Sequence, residues 1–210
     1  AEQLDSVDPQ RIHAVRDAML ADLARALRDD WIWAFEAHQV AGAYAPDPLS
    51  AGKRALANLA LAMLCLNAAV SGDTLWPGRA YARVKAAGNM TERLGALKAL
   101  TQSHAETAGP ALAHFHSQFR HDALVIDKWF SLQAMSSLPG TLANVAALLR
   151  HPGFSIKVPN KVRALIGSFC HGNQLRFHAA DGSGYAFLAD RVMELNPLNP
   201  QVAARLVGAF

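Results

Sequence analysis

The sequence has few charged residues and no cluster of basic ones. Charged residues make up 18% of its 210 positions, with 20 Lys and Arg against 17 Asp and Glu. The pI is about 9.1, but nucleic-acid-binding proteins usually carry a basic run or stripe. Here the basic residues are scattered and usually have acids nearby, as in Arg25, Arg28, Asp29 and Asp30. We therefore predict ordinary solvated helix faces and no nucleic-acid partner.

The sequence contains only two cysteines, and it has no apolar run long enough to predict a membrane span. Cys65 and Cys170 each lie in an apolar helical pattern and are most simply core thiols in a reducing compartment, although a disulfide between them also fits the sequence. No basic and then apolar signal pattern opens the chain. The most apolar run, residues 55–70, has 16 residues, whereas a membrane span needs about 20. We predict a cytoplasmic protein without a membrane partner.

Strand-forming residues are few relative to Ala and Leu, which favour helices. Apolar residues recur at three- and four-residue spacing along the chain, as in the first helix, which should begin with Asp8 as its N-cap and Pro9. About eleven helices with short connections are indicated in this way. We predict an all-α fold, an α-α superhelix of antiparallel helix pairs like HEAT and armadillo solenoids, with a compact irregular bundle as the alternative. Residues 1–210 should form a single domain.

No catalytic motif stands out. His114 and His116 are two residues apart and so point to different sides of a helix, which argues against a metal site in the group that also includes His104 and His121. Ser183 lies in a glycine turn and not in the Gly-x-Ser-x-Gly motif of a nucleophile. Asp127, in an apolar helix, is better explained by pairing with a cation than by acid–base catalysis. We predict no catalytic residue and no metal ligand in this chain.

Three polar side chains are better candidates for a binding pocket. Arg163 falls in the first turn of a helix that Asn160 should cap, where a cation is unfavourable to the helix dipole, so a carboxylate or a functional anion should offset it. Gln201 and Arg205 are four residues apart on the helix that begins at Asn199, beside its apolar stripe. Arginine can bind carboxylates through two parallel hydrogen bonds. The alternative is that all three are ordinary surface residues.

Several long motifs resemble one known family, the C-terminal helical domain of bacterial aminopeptidase N, an M1-family zinc alanyl aminopeptidase. The resemblance covers nearly the whole chain and is strongest near its end. It rests on Asn89-Met90-Thr91, on Val125-Ile126-Asp127-Lys128-Trp129-Phe130, on His151-Pro152 with Pro159-Asn160 and Arg163, on Phe177-His178-Ala179 with Asp181-Gly182-Ser183-Gly184-Tyr185, and on Asn199-Pro200-Gln201-Val202-Ala203 with Arg205-Leu206. In the loop at residues 174–176, the amino acids differ from those expected for this family.

The resemblance implies the α-superhelical domain that closes over the catalytic domain of a zinc aminopeptidase. That enzyme would release N-terminal amino acids from peptides, using zinc-activated water and a glutamate base. The zinc motif is absent here, so this fragment should be inactive, with the zinc in the catalytic domain of the parent chain. By the same resemblance, Gln201 would touch the pocket for the N-terminal side chain of the substrate. Arg205 and Arg163 would face the carboxylate end of the peptide.

The last apolar stripe remains in helical register up to the final residue. This pattern predicts that the chain is a piece of a longer, multidomain enzyme, which should be a monomer whose partners are its own catalytic domain and peptide substrates. The rival hypothesis is an independent α-solenoid that serves as a scaffold for a protein partner.

Overall fold

The structure, a computed structural model, describes residues 6–210. These residues form twelve α-helices and one π-helical segment, π1, and contain no strand. The elements are α1 Pro9–Ala26, α2 Arg28–Ala37, α3 Pro48–Ser71, α4 Leu75–Ala86, α5 Met90–Gln102, α6 Ala108–Phe119, α7 Ala123–Ala134, α8 Thr141–Leu148, α9 Pro159–Val162, π1 Arg163–Gly172, α10 Gln174–Phe177, α11 Ser183–Leu195 and α12 Pro200–Val207. The all-α prediction is confirmed.

The chain divides into two compact units, and the single-domain prediction stays a prediction. Unit 2 comprises residues 16–118 and is built around α3, which packs against α2, α4 and α5. Asp47 caps α3 by accepting a hydrogen bond from the Ser50 amide at 2.9 Å, and Gly72 ends it in the left-handed region at φ 75°. The buried side of α3 carries Leu61, Leu64 and Cys65.

Among the described helices, α3 alone is long and apolar enough to cross a membrane. Length and composition are weak evidence, because the core helix of a folded domain passes the same test. The contacts of α3 with three neighbouring helices identify it as such a core helix.

Of the described residues, 6–15 and 119–210 form unit 1. Its core is aromatic, with Phe130, Phe169 and Phe177 fully buried. The Phe169 and Phe177 rings meet edge to face at 6.2 Å between centroids, a geometry that aromatic pairs prefer. Around them π1 packs against α7, α9 and α10, and α12 packs against α11.

Two local predictions about helix ends are wrong, one at Asn160 and one at the end of the last helix. Asn160 does not cap its helix, because Val158 occupies the cap position and Pro159 the first turn. From Arg163 to Gly172 the helix continues with π geometry, which the sequence pattern did not indicate. The last helix ends at Val207, before the final residue, with the Gly208 amide donating to the Leu206 carbonyl.

The first helix begins as predicted but is packed differently from an ordinary surface helix. The Asp8 side chain accepts a hydrogen bond from the Arg11 amide at 3.0 Å, which caps α1. The apolar stripe of this helix is exposed along its whole length, and Ala24 is its one buried residue. The exposed members are Ile12, Val15, Met19, Leu23 and, just after the helix, Leu27.

Candidate functional site

The candidate site begins with α12, whose amphipathic pattern decides which side chains face outward. Asn199 caps this helix by accepting a hydrogen bond from the Val202 amide at 3.1 Å, and Pro200 occupies its first turn. Val202 and Leu206 are buried where α12 packs against α11.

Packing of that apolar side leaves Gln201 and Arg205 exposed. They are four residues apart, so their side chains are neighbours on one face of α12. Within residues 6–210 neither side chain has a hydrogen-bond or ion-pair partner. On a ligand outside this chain, the exposed Gln201 amide can donate or accept hydrogen bonds, and the exposed Arg205 guanidinium can donate them.

Arg163, the third predicted site residue, is also exposed but lies on a different element, at the start of π1. Its Nη1 donates to Asn160 Oδ1 at 3.0 Å. The neutral amide takes the place of the carboxylate that the sequence suggested, so the positive charge of Arg163 is not neutralised by this contact. Gln201 and Arg205 therefore lie on the same helix, α12, whereas Arg163 lies on another element of unit 1, π1.

The glycine turn before α11, at residues 181–184, serves to shape the backbone and not to carry out catalysis. Gly182 adopts φ 72°, a conformation that glycine reaches without strain. Asp181 accepts a hydrogen bond from the Ser183 amide at 2.9 Å. The side-chain and backbone hydrogen bonds from Ser183 hold the pKa of the Asp181 carboxyl below its ordinary value. The interpretation of Ser183 as part of a turn, and not as a nucleophile, agrees with this geometry.

Beside this turn lies a hydrogen-bond network of three polar side chains, which the sequence analysis did not predict. His178 Nε2 lies 2.7 Å from Gln174 Oε1, and its Nδ1 lies 2.6 Å from the Tyr185 hydroxyl. Because the Gln174 oxygen can only accept, Nε2 of a neutral imidazole donates to it, and Nδ1 accepts from Tyr185. The one sequence signal was the four-residue spacing of Gln174 and His178. This hydrogen-bond network connects α10 to α11 and helps to hold the two helices together in unit 1.

Asp127 pairs with a cation, as predicted. Its Oδ1 lies 2.7 Å from Lys161 Nζ, and both side chains are largely buried. Lys161 Nζ also donates to the Ala123 carbonyl at 2.9 Å. This arrangement engages the carboxylate of α7 with the cation of α9, so the structural interpretation of Asp127 is confirmed.

The histidines of α6 and its flanks form no metal centre in the part of the chain that the structure describes. There, no three His, Cys, Asp or Glu side chains come together as metal ligands. His114 and His116 are half-buried, whereas His104 and His121 are exposed.

Unit 2 contains an open depression of about 390 Å³ at the start of α5, lined by Tyr44, Gly88, Asn89, Met90 and Thr91. The Asn89 side chain is already engaged in capping α5, since its oxygen accepts from the Glu92 amide at 3.0 Å. The Thr91 carbonyl accepts from Asn58 at 3.1 Å. With these polar groups engaged in the fold, the depression offers less to a ligand than the free side chains of α12.

The chain is similar to one domain family and to several aminopeptidases. The family model described as "Domain of unknown function (DUF3458_C) ARM repeats" matches residues 1–210. The chain is 36% identical over 214 residues to Aminopeptidase N of Caulobacter vibrioides, covering 99% of this chain and 24% of that protein. It is 36% identical over 207 residues to Aminopeptidase N of Escherichia coli, covering 99% of this chain and 23% of that protein.

Among solved structures, a crystal structure of Legionella pneumophila aminopeptidase A in complex with aspartic acid matches with a TM-score of 0.86 and 30% identity, over 99% of this chain and 25% of that one. The chain thus spans about a quarter of the length of the relatives it matches. The matching part is their C-terminal region, so the resemblance inferred from sequence is confirmed. The armadillo-like class of all-α fold is confirmed as well.

Proposed function

The chain belongs to the DUF3458_C family of ARM-repeat domains, and we propose that it is the non-catalytic C-terminal domain of a zinc-dependent aminopeptidase. In this proposal the domain closes over the catalytic domain of the same chain and lines the chamber in which peptides are held. The observation that carries the proposal is identity of 36% to Aminopeptidase N, sustained over 99% of this chain. The unengaged pair Gln201 and Arg205 on α12 supports the chamber-lining role.

The catalytic step belongs to the other domain. Zinc bound there supplies an activated water for peptide hydrolysis, and we assign no zinc ligand to residues 6–210. The contribution of this domain is to position peptides. Gln201 would contact the N-terminal side chain of the substrate, while Arg205 and Arg163 would attract its carboxylate end.

The reducing cytoplasm is the compartment we propose for the parent enzyme, which would act as a monomer. Cys65 and Cys170 are both buried free thiols, a state that suits a reducing environment.

The first test concerns where catalysis resides. The 210-residue chain, supplied with zinc, is assayed on alanyl-p-nitroanilide beside the intact parent enzyme. We expect turnover by the parent alone. Robust hydrolysis by the 210-residue chain would overturn the non-catalytic assignment, and an inactive parent would overturn the aminopeptidase assignment.

The second test concerns Gln201. In the parent enzyme, Gln201→Ala should change the ratio of kcat/KM values among alanyl, leucyl and arginyl p-nitroanilides, because the side chain would touch the residue that distinguishes them. Gln102→Ala, which makes the same chemical change at an exposed helix end in unit 2, is the matched control. Unchanged ratios in Gln201→Ala would remove this residue from the pocket.

The third test concerns Arg205. For peptides with a free C-terminal carboxylate, Arg205→Ala should raise KM by about tenfold, the size of one lost charged hydrogen bond. C-terminally amidated analogues of the same peptides should be hydrolysed with unchanged KM. An equal change for both peptide forms would show that Arg205 does not bind the carboxylate.

A further inference from the structure

The apolar stripe of α1 is exposed where a folded chain would ordinarily bury it. We define the α1 stripe as its unit 2 part, Met19, Leu23 and Leu27, whose exposed fractions are 58%, 41% and 39%. Their four-residue spacing places them on one face over two helical turns. Scattered single apolar residues are normal on protein surfaces, but a contiguous patch marks a contact surface.

The side of α1 that faces the rest of the chain is a different one. Ala24 is the one buried residue of α1, and it follows Leu23 directly in sequence. Consecutive residues of an α-helix are about 100° apart around its axis. The Trp31 indole donates to the Leu23 carbonyl at 3.2 Å, so α2 contacts the backbone there, and 41% of Leu23 remains exposed. The stripe is therefore still partly exposed after α1 has made its own contacts.

The surface beside the stripe is polar at Asp22, about 60° from Met19 around the helix axis. Its carboxylate pairs at 2.7 Å with Arg25, which lies nearly opposite Leu23 on the helix, and both side chains are in solvent. A polar, solvated residue beside an apolar patch is typical of the rim of a protein interface. A helix with a regular apolar stripe acquires most of its stability from packing that stripe against a partner.

We infer that the α1 stripe docks against the part of the aminopeptidase polypeptide that lies outside these 210 residues. This inference rests on the proposed function, because the relatives that the chain matches are about four times its length. A partner in the same polypeptide is held at high effective concentration, so a short stripe suffices. A stable complex between separate molecules needs about 1,200 Å² or more of buried surface, which argues against a second copy of this chain.

The test is cysteine labelling in the intact parent enzyme. Met19→Cys and Leu23→Cys place a thiol on the stripe, and Ala18→Cys, adjacent to Met19 but on another exposed face, is the matched control. Labelling by a small maleimide is followed by peptide mass spectrometry. Cys65 and Cys170 are buried and should react slowly. We expect the stripe thiols to react about tenfold or more slowly than Cys at position 18, because a docked residue is accessible only during local opening.

The 210-residue chain is the reference, and in it all three thiols should react at similar rates. Equal rates in the parent enzyme as well would overturn the inference. Protection in the 210-residue chain that grows with protein concentration would also overturn it, by identifying a second copy as the occupant. Activity on alanyl-p-nitroanilide is measured on the same samples, so an unprotected stripe in an active aminopeptidase contradicts the docking surface and leaves the proposed function intact.

A second measurement does not depend on labelling. Leu23→Ser should leave the thermal midpoint of the 210-residue chain nearly unchanged, because the side chain is exposed there. The same substitution should lower the thermal midpoint of the parent enzyme, where the stripe would be covered. An equal effect in both would contradict docking at Leu23.

Discussion

At the scale of single residues, the turn between α10 and α11 depends on a glycine whose role is steric. A Cβ atom at Gly184 would overlap the carbonyl oxygen of Phe177 and crowd two further backbone atoms of that residue. Backbone atoms cannot swing away as the end of a flexible side chain can. The motif that identifies this stretch in the sequence is therefore explained by close packing of α11 on the backbone before it.

Gly184→Ala should destabilise the chain by about 3 kcal/mol, the upper part of the range for overpacking. For a chain of this size that free energy lowers the thermal midpoint by roughly 6–12 °C. The control is Gly208→Ala, where a Cβ would lie 3.5 Å from the Arg205 carbonyl oxygen, an ordinary contact, and the midpoint should not fall. A Gly184→Ala protein as stable as the control would contradict the predicted overlap.

The ion pair between Asp127 and Lys161 allows a second prediction at this scale. Both side chains are largely buried, and their charged atoms lie 2.7 Å apart. Removing one charge leaves the other buried without compensation, so Lys161→Met should lower the free energy of unfolding by about 3–5 kcal/mol. Urea denaturation would measure the change.

The matched variant removes both charges. Asp127→Leu combined with Lys161→Met should recover much of the loss, because neither charge is then desolvated. If the double variant were less stable than Lys161→Met alone, the penalty would not come from an uncompensated carboxylate.

At the scale of elements, α3 and α5 of unit 2 approach each other closely at Gly95. A Cβ at Gly95 would overlap the side chain of Asn58, and that side chain donates to the Thr91 carbonyl at 3.1 Å. The glycine allows α5 to lie close enough for Asn58 to reach the first turn of the facing helix.

Gly95→Ala should destabilise the chain by about 1–3 kcal/mol through overpacking, and Asn58→Ala by about 1 kcal/mol through the lost hydrogen bond. In the double variant the clash disappears, so its destabilisation should be smaller than the sum of the two. A double-mutant cycle by urea denaturation measures the coupling. Additive effects would show that the two residues do not share one contact.

Also at this scale, sequence patterns located most helices and failed where packing overrides local preference. Capping residues and prolines placed the starts of α1 and α12 correctly, because these signals act within one turn of the chain. The π geometry of Arg163–Gly172 has no comparable local signal. It occurs where π1 packs against α7, and Ser131 of α7 donates to the Ala164 carbonyl at 2.9 Å.

At the scale of the whole molecule, burial of the two thiols makes stability depend on alkaline pH. Burial raises the pKa of Cys65 and that of Cys170 from an ordinary 9.0 to about 12. A group whose pKa is higher in the folded state contributes stability below its unfolded pKa and loses it as pH rises toward the folded value. The relevant window is therefore pH 9 to 12.

At pH 10 each thiol should lower the free energy of unfolding by about 1.4 kcal/mol relative to pH 8. Urea denaturation at the two pH values measures the total. The control carries Cys65→Ala and Cys170→Ala, and its loss of stability over this interval should be smaller by about 3 kcal/mol. An identical pH dependence in the control would mean that other groups are responsible.

The all-α class and the relation to the C-terminal region of aminopeptidases could both be predicted from the amino-acid sequence. Helix periodicity and capping are local signals, and the motifs around Asp181 and Asn199 are long enough to be specific. The sequence also selected Gln201 and Arg205, since an apolar stripe at three- and four-residue spacing excludes its neighbours from the core.

Which polar side chains already have hydrogen-bond partners, and which helix faces stay exposed, became visible in the three-dimensional structure. Arg163 and Gln201 are both polar, yet the Arg163 side chain donates a hydrogen bond to Asn160, whereas the Gln201 side chain has no partner among the described residues. The apolar pattern of α1 likewise resembles that of a core helix, and three-dimensional packing leaves it exposed. The physical reason is that periodicity defines the faces of a helix, whereas the occupant of each face depends on residues distant in the chain.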